Sequence, residues 1–278
     1  MCLQLMNISP VKLLVIDIDG TILGKSGTIS PENQDALRRV RQSGIQVRLA
    51  TGRIPQACQR IIHQLELEGP HIFFDGAVIS DPRQNNSIYM QSIAPHLVEE
   101  AIDFCHDKRI DLDFFSIDQY FTEEDNWATQ IRRYFFKLAP TIADFDGLSQ
   151  RQVILKGTLA VASPRERQLA QEFRHHFQGR LSFSRTITPA YPEVDFINVL
   201  DTRVSKGQAL NTLAAHLGVP ITQVAAIGDG SNDISMFRDV GIAIAMGEAN
   251  AEVKAAAHWV TSGVDENGVS AAIDRFLT

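Results

Sequence analysis

The chain has 278 residues, room for one large domain or two unequal ones, and its 44% apolar and 21% charged residues exclude a long disordered stretch. With 26 Lys and Arg against 33 Asp and Glu, the formal net charge is -7, which argues against a general nucleic-acid grip, because that needs a basic face. The 3 cysteines, Cys2, Cys58 and Cys105, are odd in number and far apart, so neither a disulfide framework nor a zinc ligand set is indicated and a reducing cytoplasm is expected.

Met1 to Lys12 lacks the basic start, long apolar core and small-residue cleavage site of a signal peptide, and no apolar run reaches the length needed to span a bilayer. Leu13 to Ile16 is an unbroken apolar run ending in Asp17-Ile18-Asp19-Gly20-Thr21, the pattern of a strand buried on both faces. Ser30 and Pro31 open a helix as cap and first helical residue, and Gly44 closes it. Ile45 to Ala50 is a second strand, ending in Thr51-Gly52-Arg53. A helix over Ile54 to Leu67 and a strand over His71 to Phe74 follow, the latter running into Asp75-Gly76. This alternation is that of a doubly wound α/β sheet, a Rossmann-like parallel core.

From about Pro82 the pattern changes. Strands are expected at Ser87–Ile93, Ile110–Ile117, Val153–Ala162 and Leu181–Ile187, with helices at Pro95–Lys108, Glu124–Leu138 and Arg165–Phe177. Several of these strands alternate, as in a sheet with one exposed face. The segment 82–192 therefore reads as a separate α/β domain inserted in a core of residues 1–81 and 193–278, with the chain returning through Val194 to Val199. Core alternation then resumes with a helix from Ser205 to Leu217, a strand from Val224 to Ile227 ending in Gly228-Asp229-Gly230-Ser231-Asn232-Asp233, and strands at Gly241–Ala245 and His258–Thr261.

In open α/β sheets, ligands bind beyond the carboxyl ends of the strands, and the polar clusters fall at such ends. Asp17, Asp19, Asp229 and Asp233 would repel one another if gathered there, and a hard dication such as Mg2+ relieves that repulsion through oxygen ligands. Thr51 offers a hydroxyl donor and Lys206 an ammonium. Gly20 and Gly52 let backbone amides come close, and together these groups suit a phosphoryl group in transit. Each feature has a plainer reading alone: Asp-x-Asp-Gly is commonly a turn or cap, and a lysine at a helix start usually sits in water. The adjacent His175 and His176 read as solvated, and Trp127, Tyr134, Phe135 and Phe136 as core packing.

Read together, D-I-D-G-T, A-T-G-R, V-S-K-G and G-D-G-S-N-D, in that order, resemble the four motifs of the haloacid dehalogenase-like superfamily, and the placement of the insert resembles its Cof-type branch with a large α/β cap. The resemblance implies a Mg2+-dependent phosphatase with Asp17 as nucleophile and Asp19 as acid/base. Its metal ligands would be the Asp17 and Asp229 carboxylates and the Asp19 backbone carbonyl. Asp233 would hold metal-bound water or pair with Lys206. Thr51 and Lys206 would bind the phosphoryl group with support from Asn232, and Arg53 would lie toward the substrate side. The expected partner is a small phosphorylated metabolite, such as a sugar phosphate, with no nucleic acid and no membrane. A phosphomutase on the same scaffold and a non-catalytic phosphate-binding protein are the alternatives. One departure is that Asp75 stands where many relatives carry asparagine.

Overall fold

The computed structural model describes residues 11–24, 26–84, 86–135, 138–188 and 191–277. Cys2, most of the leading segment Met1 to Lys12 and Phe136 lie outside the described residues. In chain order, β1 (Leu13–Ile16), α1 (Pro31–Gln42), β2 (Gln46–Leu49) and α2 (Pro55–Gln64) precede β3 (His71–Phe73), β4 (Val78–Asp81) and β5 (Asn86–Met90). The middle of the chain holds α3 (Pro95–Lys108), β6 (Leu112–Phe115), β7 (Tyr120–Thr122), α4 (Trp127–Phe135), β8 (Thr141–Ile142), α5 (Leu148–Arg151), β9 (Lys156–Val161), α6 (Pro164–His176), β10 (Leu181–Thr188) and β11 (Tyr191–Asp201). The last part holds α7 (Lys206–His216), β12 (Val224–Gly228), α8 (Ile234–Phe237), β13 (Ile242–Ala245), α9 (Ala251–Ala256), β14 (Trp259–Val260) and α10 (Gly268–Leu277). No helix among the described residues is long and apolar enough to cross a membrane.

The chain divides into two compact units. The first contains the described residues up to Gly52, then Arg60–Tyr89 and those from Ser205 onward; the second contains Arg53–Gln59 and Met90–Val204. In the first unit, five parallel strands run in the order β14-β13-β12-β1-β2. β1 lies inside this sheet, with Leu13 opposite Val224 on one side and Gln46 on the other, so its four apolar residues are fully buried. Helix α7 covers the same core through Leu210 and Leu213, which cluster with Leu13, Val15 and Ile72. Burial of each such side chain contributes about 1.5–3 kcal/mol. The Ser30 side chain accepts from the Asn33 amide with Pro31 at the first helical position, as the residues of α1 require.

Two expectations need correction. The third core strand, β3, meets the parallel sheet through one parallel bridge, Ala50 to Ile72, and its ladder partners lie in a three-stranded sheet in the order β3-β4-β5. Ile79 of β4 is buried in the core cluster with Ile88 and Tyr89 of β5 packed against it, so the first unit continues to Tyr89 and does not stop at residue 81. The expected return strand, Val194 to Val199, lies within β11, which pairs antiparallel with both β10 and β9. The second unit accordingly runs to Val204, past residue 192.

The second unit is built on a six-stranded sheet, β10-β11-β9-β6-β7-β8. α3 and α6 bury Val98, Ile102 and Phe173 against Leu112, Phe114, Leu159 and Val199 of this sheet. Asp113, which alternates with those sheet residues, forms an ion pair with Arg132 of α4, and both side chains are buried. The Arg132 guanidinium also donates to the Tyr120 hydroxyl at 2.9 Å and lies 5.2 Å from the Phe196 ring centre. One plainer reading changes here: Tyr134 is exposed instead of packed in the core. His176 is exposed, as expected, and its Nε2 also lies 2.8 Å from Glu100.

Candidate active site

Asp17 follows β1 directly. Its amide donates to the Ile227 carbonyl at 3.0 Å, which holds Asp17 at the seam with β12 and buries its carboxyl at the carboxyl end of the sheet. Lys206 is the first residue of α7, whose Ser205 cap accepts from the Gln208 amide. The Lys206 ammonium is 1% exposed and donates to Asp17 Oδ1 and Asp233 Oδ1, each at 2.7 Å. The other oxygen of Asp233 accepts from the Asp229 and Gly230 amides at 3.0 and 2.9 Å, closing the loop after β12. A Cβ at Gly228 would overlap the Asp233 carboxylate, so this closure needs glycine there.

Asp229 is oriented from the first loop. The Thr21 hydroxyl donates to Asp229 Oδ1 at 2.7 Å. Gly20 has φ +85°, a backbone state that disfavours L side chains, and a Cβ there would overlap the Asp229 carboxylate. One carboxylate oxygen from each of Asp17, Asp229 and Asp233 thus lies within 4.8 Å of the others.

The charges do not balance. Burial pushes the Asp17 carboxyl well above the usual carboxylate range, with Asp233 and Asp229 adding to the effect and Lys206 opposing it. Burial, reinforced by Asp233, pushes Asp229 up to about 7. Burial alone would lower Lys206, but Asp17 and Asp233 outweigh it and hold the ammonium above the ordinary lysine range. One ammonium faces three carboxylates. An oxygen-only donor set with surplus negative charge fits a hard divalent cation, which prefers oxygen ligands.

The remaining residues expected at the site fall as follows. Asp19 and Gly20 lie in the turn after β1, where the Gly20 amide donates to the Leu23 carbonyl at 2.9 Å. Thr51 is buried, and its amide donates to the Ile72 carbonyl at 3.0 Å. Gly52 comes next, against Asp75, whose carboxylate oxygens would lie 3.0 Å from a Cβ at Gly52. Asn232 donates through Nδ2 to Asp75 Oδ1 at 2.7 Å. Arg53 opens the segment Arg53–Gln59 that packs with the second compact unit. The sequence reading missed Thr21 as the orienter of Asp229, although its position in D-I-D-G-T was a usable signal. It left the role of Asp75 open, since no local pattern joins it to Asn232.

A family model described as a haloacid dehalogenase-like hydrolase matches residues 14–273. The chain belongs to this family. It is an enzyme of the hydrolase class, and its fold and relatives are those of phosphoric monoester hydrolases. A Bacillus subtilis protein named 5-amino-6-(5-phospho-D-ribitylamino)uracil phosphatase YwtE is 28% identical over 296 residues, covering 96% of this chain and 99% of that protein. The crystal structure of a haloacid dehalogenase-like hydrolase from Bacteroides thetaiotaomicron superposes with a TM-score of 0.82 at 26% identity, covering 95% of this chain and 99% of its own. The subclass IIB sugar phosphatase BT4131 of the same family superposes with a TM-score of 0.80 at 26% identity, covering 96% of this chain and 99% of its own.

Proposed function

We propose that this family member is a Mg2+-dependent phosphatase that passes a phosphoryl group through Asp17 to water, acting on a small phosphorylated metabolite such as a sugar phosphate. The observation that carries the reading is the convergence of the Asp17, Asp229 and Asp233 oxygens within 4.8 Å around a buried lysine. Asp17, Asp229, the Asp19 backbone carbonyl and, through water or directly, Asp233 would hold Mg2+. Bound there, a hard dication offsets the carboxylate repulsion and neutralises charge on phosphoryl oxygens.

The chain's own groups then divide the work. An Asp17 oxygen attacks phosphorus; the bond from phosphorus to the leaving oxygen breaks, and the Asp19 carboxyl gives that oxygen a proton. A water next attacks the phospho-aspartyl group, Asp19 takes the water's proton, the bond to Asp17 breaks, and inorganic phosphate departs. Lys206, Thr51, Asn232 and the backbone at Gly52 donate to the phosphoryl oxygens, where charge is spread in the transition state, whereas the single N–H of Gly20, expected to join them, is bonded to the Leu23 carbonyl. Lys206 serves two ends, since its hydrogen bond to Asp17 also holds the nucleophile in place. Arg53 is assigned to the non-phosphate part of the substrate.

The test is phosphate release from a panel of hexose phosphates, pentose phosphates, nucleotides and the phosphoribityl-amino-pyrimidine named for YwtE, each with and without Mg2+. Release from at least one compound, only when Mg2+ is present, is expected. No release from any of them, or release unaffected by chelation of divalent ions, contradicts the reading.

A further inference from the structure

Asp75 sits in a left-handed turn between β3 and β4. Phe74 and Asp75 both have positive φ, 52° and 56°, in consecutive non-glycine residues. Asp tolerates that region, but a bulky aromatic does so only under constraint, and such positions cost about 1–3 kcal/mol each. The bend is pinned by the Asp75 amide, which donates to the Thr51 carbonyl at 3.0 Å. It turns a carboxylate that is 3% exposed toward Gly52, Asn232 and Lys206. This one side chain therefore lies beside residues of three separate segments that the mechanism uses.

Its bond to Asn232 has a direction. An ionised carboxylate only accepts hydrogen bonds, whereas a carboxamide has a donor end and an acceptor end. The nitrogen of Asn232 faces Asp75 at 2.7 Å, and its oxygen lies against Gly230, which has no Cβ to displace it. A flipped amide would set its oxygen against the carboxylate and lose the bond. An asparagine at position 75 could satisfy either orientation; an aspartate satisfies one.

We propose, building on the phosphatase reading, that Asp75 is a positioning residue for phosphoryl recognition: it fixes the Asn232 amide in one orientation, holding one N–H so that the second is aimed at a phosphoryl oxygen. Asp75 itself does not touch the substrate. Its carboxylate acts through Asn232, and its effect on phosphate binding vanishes when Asn232 is removed.

The experiment is calorimetric titration of inorganic phosphate into the full chain with saturating Mg2+, for wild type, Asp75→Gly, Asn232→Ala and the double variant. Glycine keeps the positive-φ turn without strain, so Asp75→Gly removes the carboxylate and leaves the bend. Loss of a charge-assisted hydrogen bond that orients a donor is expected to weaken phosphate binding about tenfold in Asp75→Gly. In the Asn232→Ala background the same change should have no further effect beyond about twofold, because the two residues act as one unit. Asp75→Asn, which keeps volume and turn, is expected to fall between wild type and Asp75→Gly, and it decides the matter if the glycine variant does not fold. Phosphate binding that is unchanged in Asp75→Gly, or effects of Asp75→Gly and Asn232→Ala that multiply, or tighter binding in Asp75→Asn, would overturn the inference while leaving the phosphatase reading intact. A wild-type protein that binds no phosphate would overturn both.

Discussion

Each compact unit buries a charged constellation, and the two are balanced differently. In the second unit Asp113 and Arg132 meet one to one, with the Tyr120 hydroxyl and aromatic rings closing around the guanidinium. In the first, three carboxylates gather beside one ammonium that bonds two of them, Asp17 and Asp233. The matched pair cancels its own charge, although Asp113 Oδ1 and Arg132 Nη2 are buried without a hydrogen-bond partner. A mismatched group is held in place at a cost in free energy, and such groups persist where a ligand uses them. The backbone agrees with this division: glycines at positions 20 and 228 clear space for the carboxylates of the first constellation, where any side chain would collide.

The largest effect should come from the mismatched cluster and should appear in turnover. Asp17→Asn keeps the shape but removes the nucleophile, and phosphate release from p-nitrophenyl phosphate is expected to fall by a factor of at least about 10⁴. Substantial residual turnover would mean that the acids are not chemical participants.

The matched pair should respond in stability. Arg132→Met leaves Asp113 buried without its partner, and urea unfolding is expected to show a loss of about 3–5 kcal/mol. Replacing both, Asp113→Leu with Arg132→Met, should recover most of that loss. If the double variant is as unstable as the single one, the pair is more than a self-contained structural contact.

A smaller effect, of opposite sign, is expected from Asp229→Asn in metal-free protein. Asp229 is pushed up to about 7 by burial and by Asp233, so the folded state binds more protons than the unfolded state between about pH 4 and 7. Stability attributable to this group therefore falls as pH rises through that window. The asparagine variant, which can still accept from Thr21, should lack this decline and be about 1–2 kcal/mol more stable than wild type at pH 8. Equal thermal melts at pH 8 would show that the surplus charge carries no cost. The smallest change is expected from Thr21→Val, which removes the 2.7 Å bond that orients Asp229. Half-maximal activity should require about fivefold more Mg2+, from the loss of about 1 kcal/mol; an unchanged requirement would make Thr21 a bystander.

The same comparison explains what could be read from the chain. β1 is legible because four buried apolar residues in a row, followed by acids and a glycine, leave few other arrangements. The acids of the site are legible because they fall in the two acid- and glycine-bearing runs that follow β1 and β12, Asp17 to Gly20 and Gly228 to Asp233. The β4–β5 hairpin and β11 are not. β4 is buried throughout and β11 from Val194 onward, so neither pattern names a sheet face, and only long-range pairing decides which sheet they join. The same limit hides the Asp75–Asn232 bond, whose partners stand 157 positions apart, and the Asp113–Arg132 pair, whose members look like ordinary surface charges in sequence.

The central claim is that the unbalanced acids form a site for a divalent cation. Calorimetric titration of Mg2+ into wild type and Asp229→Asn tests it most directly. The account predicts one saturable site in the wild-type protein and its loss in the variant; equal binding by both proteins, or none by either, would contradict it.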